Sequence, residues 1–532
     1  MLLGLLAWLA VVVTLAGPGL TVDEPLDVRP GRTYLTTFWK EGRHFFDRAV
    51  VDRVFRDNAE HPPLGRWLLG IASMLGEPFE VLLKGPDPTG YYVLAGLLAP
   101  ALAFGLLVGI LTAVAGRLWG LAAGMAAGFA LVTMPRVFAH AHLGALDTFL
   151  AFFWTMALLA GGRALRSQRP VLAMMAAGAV WSLALLTKIH AWFLLPLLGL
   201  WSFMRLPPRR ALLAMTVWSV VGIGLFWAGW PWLWYDSWAR LWEYWTTGVE
   251  RATIRVEYFG RVFADRDVPW HYPWVYFATT VPVGLQALGI LGVLRAWKQR
   301  RADPFPLLLA GSILFFLILF STRVPVYDGE RLFLHVFPAW AMLIGLGFGW
   351  LWEQGISGRR GRIVIGALLI GQGFGVVAMH PFGLSYYNML AGGLPGARAL
   401  GLEVTYWSDA IDNELLDRLA REARPGASAA MVPTLYPGQG AVTTGFNRVL
   451  ARREIILQDD AAANRSEWVI VSYRTAYWRP DLVDRLHRGG GRRVAARTRL
   501  GVELSALWHF PPPPHEARDD HPRESFRPRV QP

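Results

Sequence analysis

MLLGLLAWLAVVVTLAGPGLTVDEPLDVRP, residues 1–30, joins an apolar run to a polar stretch that opens with two adjacent carboxylates, Asp23 and Glu24. A helix of about 20 residues crosses the hydrocarbon core of a bilayer, so residues 1–19 predict a membrane helix. A cleaved signal peptide is the alternative, but the run has no basic start and no convincing small-residue cleavage site before Asp23. We therefore expect a retained helix, and an upstream cytoplasmic stretch stays open.

The composition of the whole chain also indicates a membrane protein. Its 532 residues are 54% hydrophobic and 17% charged, with 26 Trp and 29 Phe, which is too apolar for an ordinary soluble protein of this size. The net charge is +13, but the basic residues lie between apolar segments rather than in one patch, which argues against nucleic-acid binding. The chain has no Cys, so disulfides, thiolate metal sites and Cys nucleophiles are excluded.

About eleven stretches are long enough to cross a bilayer as helices. They predict an all-α polytopic membrane protein. The stretches are 1–19, 91–115, 118–136, 143–162, 171–188, 190–205, 211–230, 273–294, 304–321, 332–352 and 363–379.

The loops between these stretches predict an orientation, because short cytoplasmic loops collect Lys and Arg. One alternate set of connections is basic, with only Asp303 and Glu353 as acids. Its basic residues are Arg117, Arg163, Arg166, Arg169, Arg205, Arg209, Arg210, Arg295, Lys298, Arg300, Arg301, Arg359, Arg360 and Arg362. The opposite, outer face then receives 20–90, 137–142, the turn near Lys188, 231–272, 322–331 and everything after 380.

These observations divide the chain into three parts. Residues 1–380 form the membrane module, whose outer loop 20–90 holds amphipathic runs suited to helices on the membrane surface. Residues 381–510 mix strand-like runs such as EWVIVSY with helix-like runs such as NELLDRLAREA, which predicts a small extracytoplasmic α/β domain. Residues 511–532 are Pro-rich and predicted to be disordered. The Trp-rich loop 231–272 is expected either to anchor at the interface or to cover a substrate cleft.

The candidate chemistry begins in the first outer loop. Asp23 and Glu24 are suited to act as a general base with a partner, or to bind a divalent cation, while a solvated helix end is the simpler alternative. Further along, HPPLGR places His61 and Arg66 beside a helix that should begin near Leu64, because two prolines fix the entry to it.

Other candidates lie at the outer ends of later helices. Asp147 falls inside an apolar helix, where a carboxylate is costly unless it faces a polar partner. Lys188 stands at a helix end, where snorkelling is the alternative explanation. Tyr327 and Arg331 come from VYDGERLF, just before another helix. An Arg there is suited to bind phosphate through its fork of donors and the positive helix end.

Taken in order, these motifs resemble those of a known superfamily. DEP, HPPLGR and ALDTFLAFF look like the motifs of protein O-mannosyltransferases, and more broadly of GT-C glycosyltransferases that use polyprenyl-phosphate sugars. YDGERLFLHVFP and PFGLSYYNMLAGG are similar to segments of bacterial members of the dolichyl-phosphate-mannose-protein mannosyltransferase family (glycosyltransferase family 39). The resemblance covers residues 1–410. Arg66 stands where the family has Lys, and the loop 231–272 has no room for the large sugar-binding insert of the eukaryotic enzymes, so another sugar or acceptor stays open.

The resemblance implies an inverting transfer of a hexose, with mannose expected, at the outer face of the bacterial cytoplasmic membrane. The donor is a polyprenyl-phosphate sugar, and the acceptor hydroxyl belongs to a protein Ser or Thr or to a glycolipid. Asp23 is expected to be the base, assisted by Glu24, and Arg331 and Lys188 to stabilise the leaving phosphate. The remaining expected substrate-binding residues are His61, Arg66, Asp147 and Tyr327. No cofactor is implied with certainty, and a divalent cation on Asp23 and Glu24 stays open.

Two other functions remain as alternatives. A polytopic transporter or lipid flippase would explain an ionisable residue within the membrane, as at Asp147. Against this function, the polar residues lie on one side only, and no matching pair of broken helices is evident. A structural anchor that presents residues 381–510 is the third possibility, but about eleven helices exceed what an anchor needs.

Overall fold

The computed structural model describes residues 1–56, 61–87, 89–249, 252–355, 358–488 and 490–510. The tail 511–532, predicted to be disordered, lies outside the described residues, as does Glu60 before the HPPLG motif.

The N-terminal part is one apolar helix followed by three helices in the predicted outer loop. These are α1 (Leu2–Thr14), α2 (Glu24–Glu41), α3 (Arg48–Phe55) and α4 (Leu64–Lys84). Helix α1 ends earlier than predicted, ahead of Gly17 and Pro18, which do not favour a helix. Helix α2 begins at the carboxylate pair, with Pro25 in its first turn, where proline is well tolerated.

Helices α2 and α4 cross at very close range. A Cβ added to Gly31 would lie 2.0 Å from the backbone oxygen of Arg66, and one added to Gly70 would lie 2.3 Å from the backbone of Gly31. Only glycine permits this approach of two backbones. The crossing therefore fixes the start of α4 against the start of α2.

The remaining helical module runs from α5 to α19 and includes a short hairpin. Its helices are α5 (Val93–Gly96), α6 (Leu98–Trp119), α7 (Leu121–Val132), α8 (Pro135–His140), α9 (Leu146–Ala164), α10 (Pro170–Leu185), α11 (Leu194–Arg205), α12 (Pro208–Ala228), α13 (Ser237–Val249), α14 (Tyr272–Thr279), α15 (Val283–Lys298), α16 (Phe305–Leu319), α17 (Phe337–Trp350), α18 (Arg359–Gly371) and α19 (Phe374–Met379). The hairpin strands are β1 (Arg255–Tyr258) and β2 (Arg261–Ala264), and 3₁₀ turns cover Gly42–Phe46, Ile189–Phe193, Pro231–Trp234 and Arg331–Val336.

All the predicted apolar stretches contain helix, and the protein is an integral membrane protein with a mostly helical fold. In the described part of the chain, four helical stretches are long and apolar enough to cross a membrane: Val93–Trp119, Pro208–Ala228, Arg331–Glu353 and Arg359–Met379. The pair α14 and α15 adds a fifth if it is one span, bent by 112°. Other apolar helices are shorter, with 10–17 residues each. The total of about eleven crossings stays a prediction.

Helix α17 lies at the centre of the module and is buried along its length. A Cβ on Gly292 of α15 would lie 1.9 Å from the backbone oxygen of Leu343, and one on Gly345 would lie 2.4 Å from that of Ala123. Small residues therefore let α7 and α15 approach α17 closely, as in other membrane helix bundles. This packing holds the segment before α17, which carries Arg331, in a fixed place.

The loop 231–272 contains a feature that the sequence did not predict. Strands β1 and β2 pair antiparallel, with Arg255 opposite Ala264 and Tyr258 opposite Arg261. The turn places Phe259 and Gly260 at positive φ. An otherwise all-α module therefore carries a two-stranded ribbon. Trp238 and Trp242 on α13 are largely exposed, as a role at the membrane interface would require, and that role stays a prediction.

The predicted C-terminal α/β fold is confirmed. Its helices are α20 (Gly393–Ala399), α21 (Asn413–Glu422), α22 (Gln439–Phe446), α23 (Arg448–Arg452) and α24 (Pro480–Arg488). Its strands are β3 (Ser428–Val432), β4 (Ile456–Gln458), β5 (Trp468–Ser472), β6 (Arg492–Arg499) and β7 (Val502–His509). The sheet order is β4-β3-β5-β7-β6, with β3 parallel to β4 and β5, and β7 antiparallel to β5 and β6. The β6–β7 hairpin was not predicted.

The sheet domain is joined to the helical module by direct contacts. Arg499 of β6 donates a hydrogen bond to the backbone oxygen of His380 at 2.7 Å. Buried side chains between Phe382 and Val404 pack with the helical core, while the core of the sheet starts at Ile411. The predicted boundary between 380 and 381 stays a prediction. These contacts bring loops of the sheet close to residues of the helical module that are predicted to lie on the outer face.

Candidate active site

Four of the residues singled out in the sequence meet in one cluster centred on Arg331. Its guanidinium donates to Asp147 at 3.4 Å, and it also pairs with Asp23. Lys188 donates from Nζ to the other oxygen of Asp147 at 2.7 Å. Asp147 is therefore held between two cations, and Arg331 is shared between Asp147 and Asp23.

Each member of this cluster comes from the end of a helix. Asp23 precedes α2, and Asp147 lies in the first turn of α9, where the helix dipole favours a carboxylate. Lys188 stands in the turn after α10, and Arg331 starts the 3₁₀ turn before α17. The cluster forms because these helix ends meet on one side of the module.

Exposure separates Asp23 from the rest of the cluster. Its side chain is 26% exposed, against 3% for Asp147, 7% for Lys188 and 10% for Arg331. A buried charge is stable only when paired, so the three inner residues depend on each other. Of the two carboxylates in the cluster, Asp23 is the one that an incoming substrate reaches more readily.

Glu24 lies beside Asp23 but has different partners. One carboxylate oxygen accepts the backbone N–H of Thr21 at 2.7 Å, and the other accepts that of Gly144 at 3.0 Å. Burial raises the pKa of Glu24 above its usual value. This side chain ties the start of α2 to the loop before α9 and also lines a separate cavity of about 400 Å³. Its catalytic assistance stays a prediction.

Arg66 and His61 support the same corner of the molecule. Arg66 is fully buried and donates to Asp27 at 2.9 Å, so it joins α4 to α2. It also donates to the backbone oxygen of His61 at 3.3 Å. Burial raises the pKa of Asp27 to about 6 and lowers that of His61. Substrate contact by His61 or Arg66 stays a prediction.

Two aromatic residues flank Arg331. The ring of Tyr327, a predicted site residue, lies 6.0 Å from its guanidinium carbon. The ring of Trp407 lies closer, at 3.8 Å, a distance that favours a cation–π interaction. Trp407 was not among the site residues predicted from the sequence. It comes from the segment between the helical module and the sheet, where no pattern distinguishes it from the many other tryptophans.

A further pair of charges extends the cluster into the sheet domain. Asp328 accepts from Arg331 at 3.0 Å and from Arg474, in the loop after β5, at 2.7 Å. Arg474 is also 3.9 Å from Glu403, and burial raises the pKa of Glu403 to about 8. Asp328 and Gly329 both have a positive φ, as is typical of an Asp-Gly turn. Nothing in the sequence around Arg474 indicated this role.

His140 is a buried titratable group near the same charges. Its ring lies edge-on to Trp407 at 5.3 Å, and neither ring nitrogen has a hydrogen-bond partner among the described residues. Burial lowers its pKa to about 3, so the imidazole is neutral at neutral pH. His140 was not among the site residues predicted from the sequence.

The residues present do not make a convincing cation site. Within the described ranges, no group of three or more His, Asp or Glu side chains is arranged to hold a metal ion. Asp23 is paired with Arg331, and both oxygens of Glu24 accept backbone N–H groups. The two carboxylates therefore do not converge on one point, and no step of the chemistry below runs through a metal.

The chain is similar in structure to known proteins at low sequence identity. No family profile and no curated protein matches the chain. The chain is similar to the crystal structure of ArnT from Cupriavidus metallidurans in the apo state, with 16% identity and a TM-score of 0.48 over 95% of this chain and 97% of that chain. The same protein bound to undecaprenyl phosphate gives 16% identity and a TM-score of 0.45 over the same shares.

An archaeal structure is also similar. Oligosaccharyltransferase AglB from Archaeoglobus fulgidus, in complex with an inhibitory peptide and a dolichol-phosphate, gives 13% identity and a TM-score of 0.43, over 97% of this chain and 74% of that chain. At such identities and TM-scores, the function has to be argued from the site itself.

Proposed function

We propose that this protein is a GT-C glycosyltransferase that moves a hexose from a polyprenyl-phosphate carrier to an acceptor hydroxyl at the outer face of the membrane. The observation that carries the proposal is the cluster itself. A partly exposed carboxylate, Asp23, lies against Arg331 and, through Asp147, within one network with Lys188. A base and two cations are what the reaction requires.

In the proposed reaction, the acceptor oxygen attacks the anomeric carbon of the sugar. The bond from that carbon to the phosphate oxygen breaks, its electron pair leaves with the polyprenyl phosphate, and the acceptor proton passes to Asp23. Attack from the face opposite the phosphate inverts the anomeric configuration. Arg331 and Lys188 are held in place by Asp147, and their positive charge stabilises the leaving phosphate.

Asp147 acts in this scheme by positioning the two cations. It is bound to both, and it is almost fully buried. Without it, two like charges would face each other in a poorly hydrated site, which is strongly unfavourable. A hydrogen bond from a sugar hydroxyl to Asp147 is compatible with this role.

An apolar groove along the helix that carries Asp147 suits the lipid part of the donor. The groove has a volume of about 500 Å³ between α4, α6 and α9, and its walls include Leu68, Leu102 and Phe153. Helix α9 also carries Asp147. A polyprenyl chain in this groove would place its phosphate towards the start of α9. Undecaprenyl phosphate and dolichol-phosphate, present in the ArnT and AglB structures, are the first carriers to test.

The proposal is tested by turnover in reconstituted membranes. The full chain is incubated with radiolabelled polyprenyl-phosphate mannose and with acceptor peptides or glycolipids, and the Asp23→Asn variant is compared with Asp47→Asn. Asp47 is an exposed carboxylate of the same outer loop, so its variant controls for loss of charge. We expect Asp23→Asn to lower turnover by about 10²- to 10⁴-fold, the usual contribution of a general base.

Three outcomes would contradict the proposal: no consumption of any lipid-linked sugar, undiminished turnover by folded Asp23→Asn, or an equal loss in the control variant. Movement of an unmodified substrate across sealed vesicles would favour the transporter alternative. A reporter fused after residue 510 tests the orientation, since it should read as extracytoplasmic. Repeating the assay with a chelator tests whether turnover requires a divalent cation.

A further inference from the structure

A second large groove lies between α6, α9 and α10, far from the cluster. Its volume is about 1080 Å³, and its walls are mainly apolar, with Val114, Met156 and Val180 each coming from a different helix. Along α9, Arg163 at the groove follows Asp147 at the cluster by sixteen residues, which is about 24 Å at the rise of an α-helix. The groove therefore lies at the opposite end of the helices from the proposed active site.

Four arginines surround the mouth of this groove: Arg117, Arg163, Arg166 and Arg169. All four are exposed. Arg166 pairs with Asp303 at 3.4 Å, whereas the other three have no ion-pair partner among the described residues. The mouth thus carries four positive charges, of which one is paired with an acid among the described residues.

The positions of these arginines are not explained by the helices alone. Arg117 and Arg163 lie in the last turns of α6 and α9, where the helix dipole favours a cation. Arg169 lies at the N-cap of α10, where the same dipole disfavours a cation. Arg169 belongs to the predicted cytoplasmic face, and it lines the groove together with Arg163.

We propose that this groove binds an anionic phospholipid, with its phosphate among the arginines and its acyl chains against the apolar walls. Guanidinium groups bind phosphate oxygens through paired hydrogen bonds, and basic pockets between membrane helices on the cytoplasmic side take anionic head groups. The volume of about 1080 Å³ slightly exceeds the range of about 300–1,000 Å³ for small-molecule sites, so there is room for part of a lipid. The occupant is a lipid rather than free phosphate because most of the lining is apolar.

The test counts the lipids bound to the full chain in detergent by native mass spectrometry, during titration with phosphatidylglycerol or with phosphatidylcholine. We expect the purified protein to retain phosphatidylglycerol preferentially. Replacing Arg163 and Arg169 together with Gln should weaken this binding by about tenfold or more, because each basic residue near a phosphate contributes substantially. The matched control replaces Arg209 and Arg210 with Gln, two exposed arginines on the same predicted face outside the groove, and should change binding little.

A second pair of variants tests the groove itself. Ala176 lines the groove, whereas its neighbour Met175 is exposed and does not line it. Ala176→Trp should fill the groove and weaken phosphatidylglycerol binding, while Met175→Trp should not. Thermal unfolding of each variant shows whether it is folded.

Four outcomes would overturn the proposal. They are equal binding of the two lipids, an equal loss in the Arg209 and Arg210 control, no effect of Ala176→Trp on a folded protein, and displacement of the lipid by inorganic phosphate at equal concentration. The last outcome would show that the arginines bind a phosphate without the groove. Because the groove lies apart from the cluster, these results do not depend on whether the proposed glycosyl transfer is correct.

Discussion

The pair between Arg474 and Asp328 predicts that the sheet domain helps to build the active site. Both side chains are 3% exposed, and the distance between them is 2.7 Å. Asp328 also holds Arg331. Replacing Arg474 by Gln removes one cation from a buried network, and breaking such a pair costs about 3–5 kcal/mol.

The expected result is a loss of both stability and turnover. Asp328 would still accept a hydrogen bond from Arg331 but would lose the one from Arg474, so the position of Arg331 would be less well fixed. A shift of the order of 1 Å in a catalytic group lowers the rate about 10²-fold. The measurements are thermal unfolding in detergent and turnover of polyprenyl-phosphate sugar. The matched control is Arg479→Gln, in the same region of the sheet domain, since Arg479 forms a half-exposed pair with Asp481 and should matter little.

A double-mutant cycle sharpens the test. Arg474→Gln, Asp328→Asn and the combination should show a coupling free energy of about 0.5–3 kcal/mol in unfolding, as contacting residues do. If the effects of the two substitutions simply add, or if Arg474→Gln behaves like Arg479→Gln, the sheet domain does not support the cluster in the way that we infer.

Two further predictions concern stability. Burial raises the pKa of Glu403 to about 8 from 4.5, so between these pH values the folded protein holds a proton on Glu403 that the unfolded chain releases. The free energy of unfolding should therefore fall as the pH rises from 4.5 to 8, by at most about 5 kcal/mol. Thermal unfolding measured against pH should show this fall in the unmodified protein and not in Glu403→Gln. Gly31→Ala should destabilise by about 1–3 kcal/mol, because its Cβ would meet the backbone of Arg66, whereas Gly311→Ala in α16, with open space around it, should be neutral or slightly stabilising; equal effects of the two alanines would contradict the close crossing.

The helices and part of the cluster were predictable because their signals are local or follow from topology. Long apolar runs indicate membrane helices directly, and basic loops sort the remaining segments onto two faces. That sorting placed Asp23, Asp147, Lys188 and Arg331 on one face, and the structure brings them into contact. Isolated polar residues near apolar helix ends are uncommon enough to be informative.

The rest depends on contacts that no local pattern records. Arg474 donates a hydrogen bond to Asp328, which lies 146 residues earlier in the chain. The residues around Arg474 show no pattern that distinguishes this loop from other loops. Glu24 was predicted to assist Asp23, but the sequence did not indicate that its carboxylate accepts two backbone N–H groups, those of Thr21 and Gly144. The β6–β7 hairpin was missed because β6 carries four arginines, which obscure the alternation expected of a strand.

The balance of charge in the cluster leads to a last prediction about how the donor binds. Three carboxylates, Asp23, Asp147 and Asp328, face three cations, Lys188, Arg331 and Arg474. A phosphate that enters this balanced group must compete with a carboxylate for Arg331. Asp23 is the most exposed of the three, so it should yield first, and its oxygens would then be free to accept a proton. Donor binding would then prepare Asp23 for proton transfer.

This coupling separates binding from turnover. Asp23→Asn should bind polyprenyl phosphate more tightly than the unmodified protein, by about fivefold or about 1 kcal/mol, since only a partly exposed pair is lost, while its turnover falls. Arg331→Gln should weaken the same binding, and both affinities are measured by titration calorimetry in detergent with polyprenyl phosphate. If Asp23→Asn binds the phosphate no more tightly, or less tightly, then Asp23 and the phosphate do not compete for Arg331, and the carboxylate must be activated in another way.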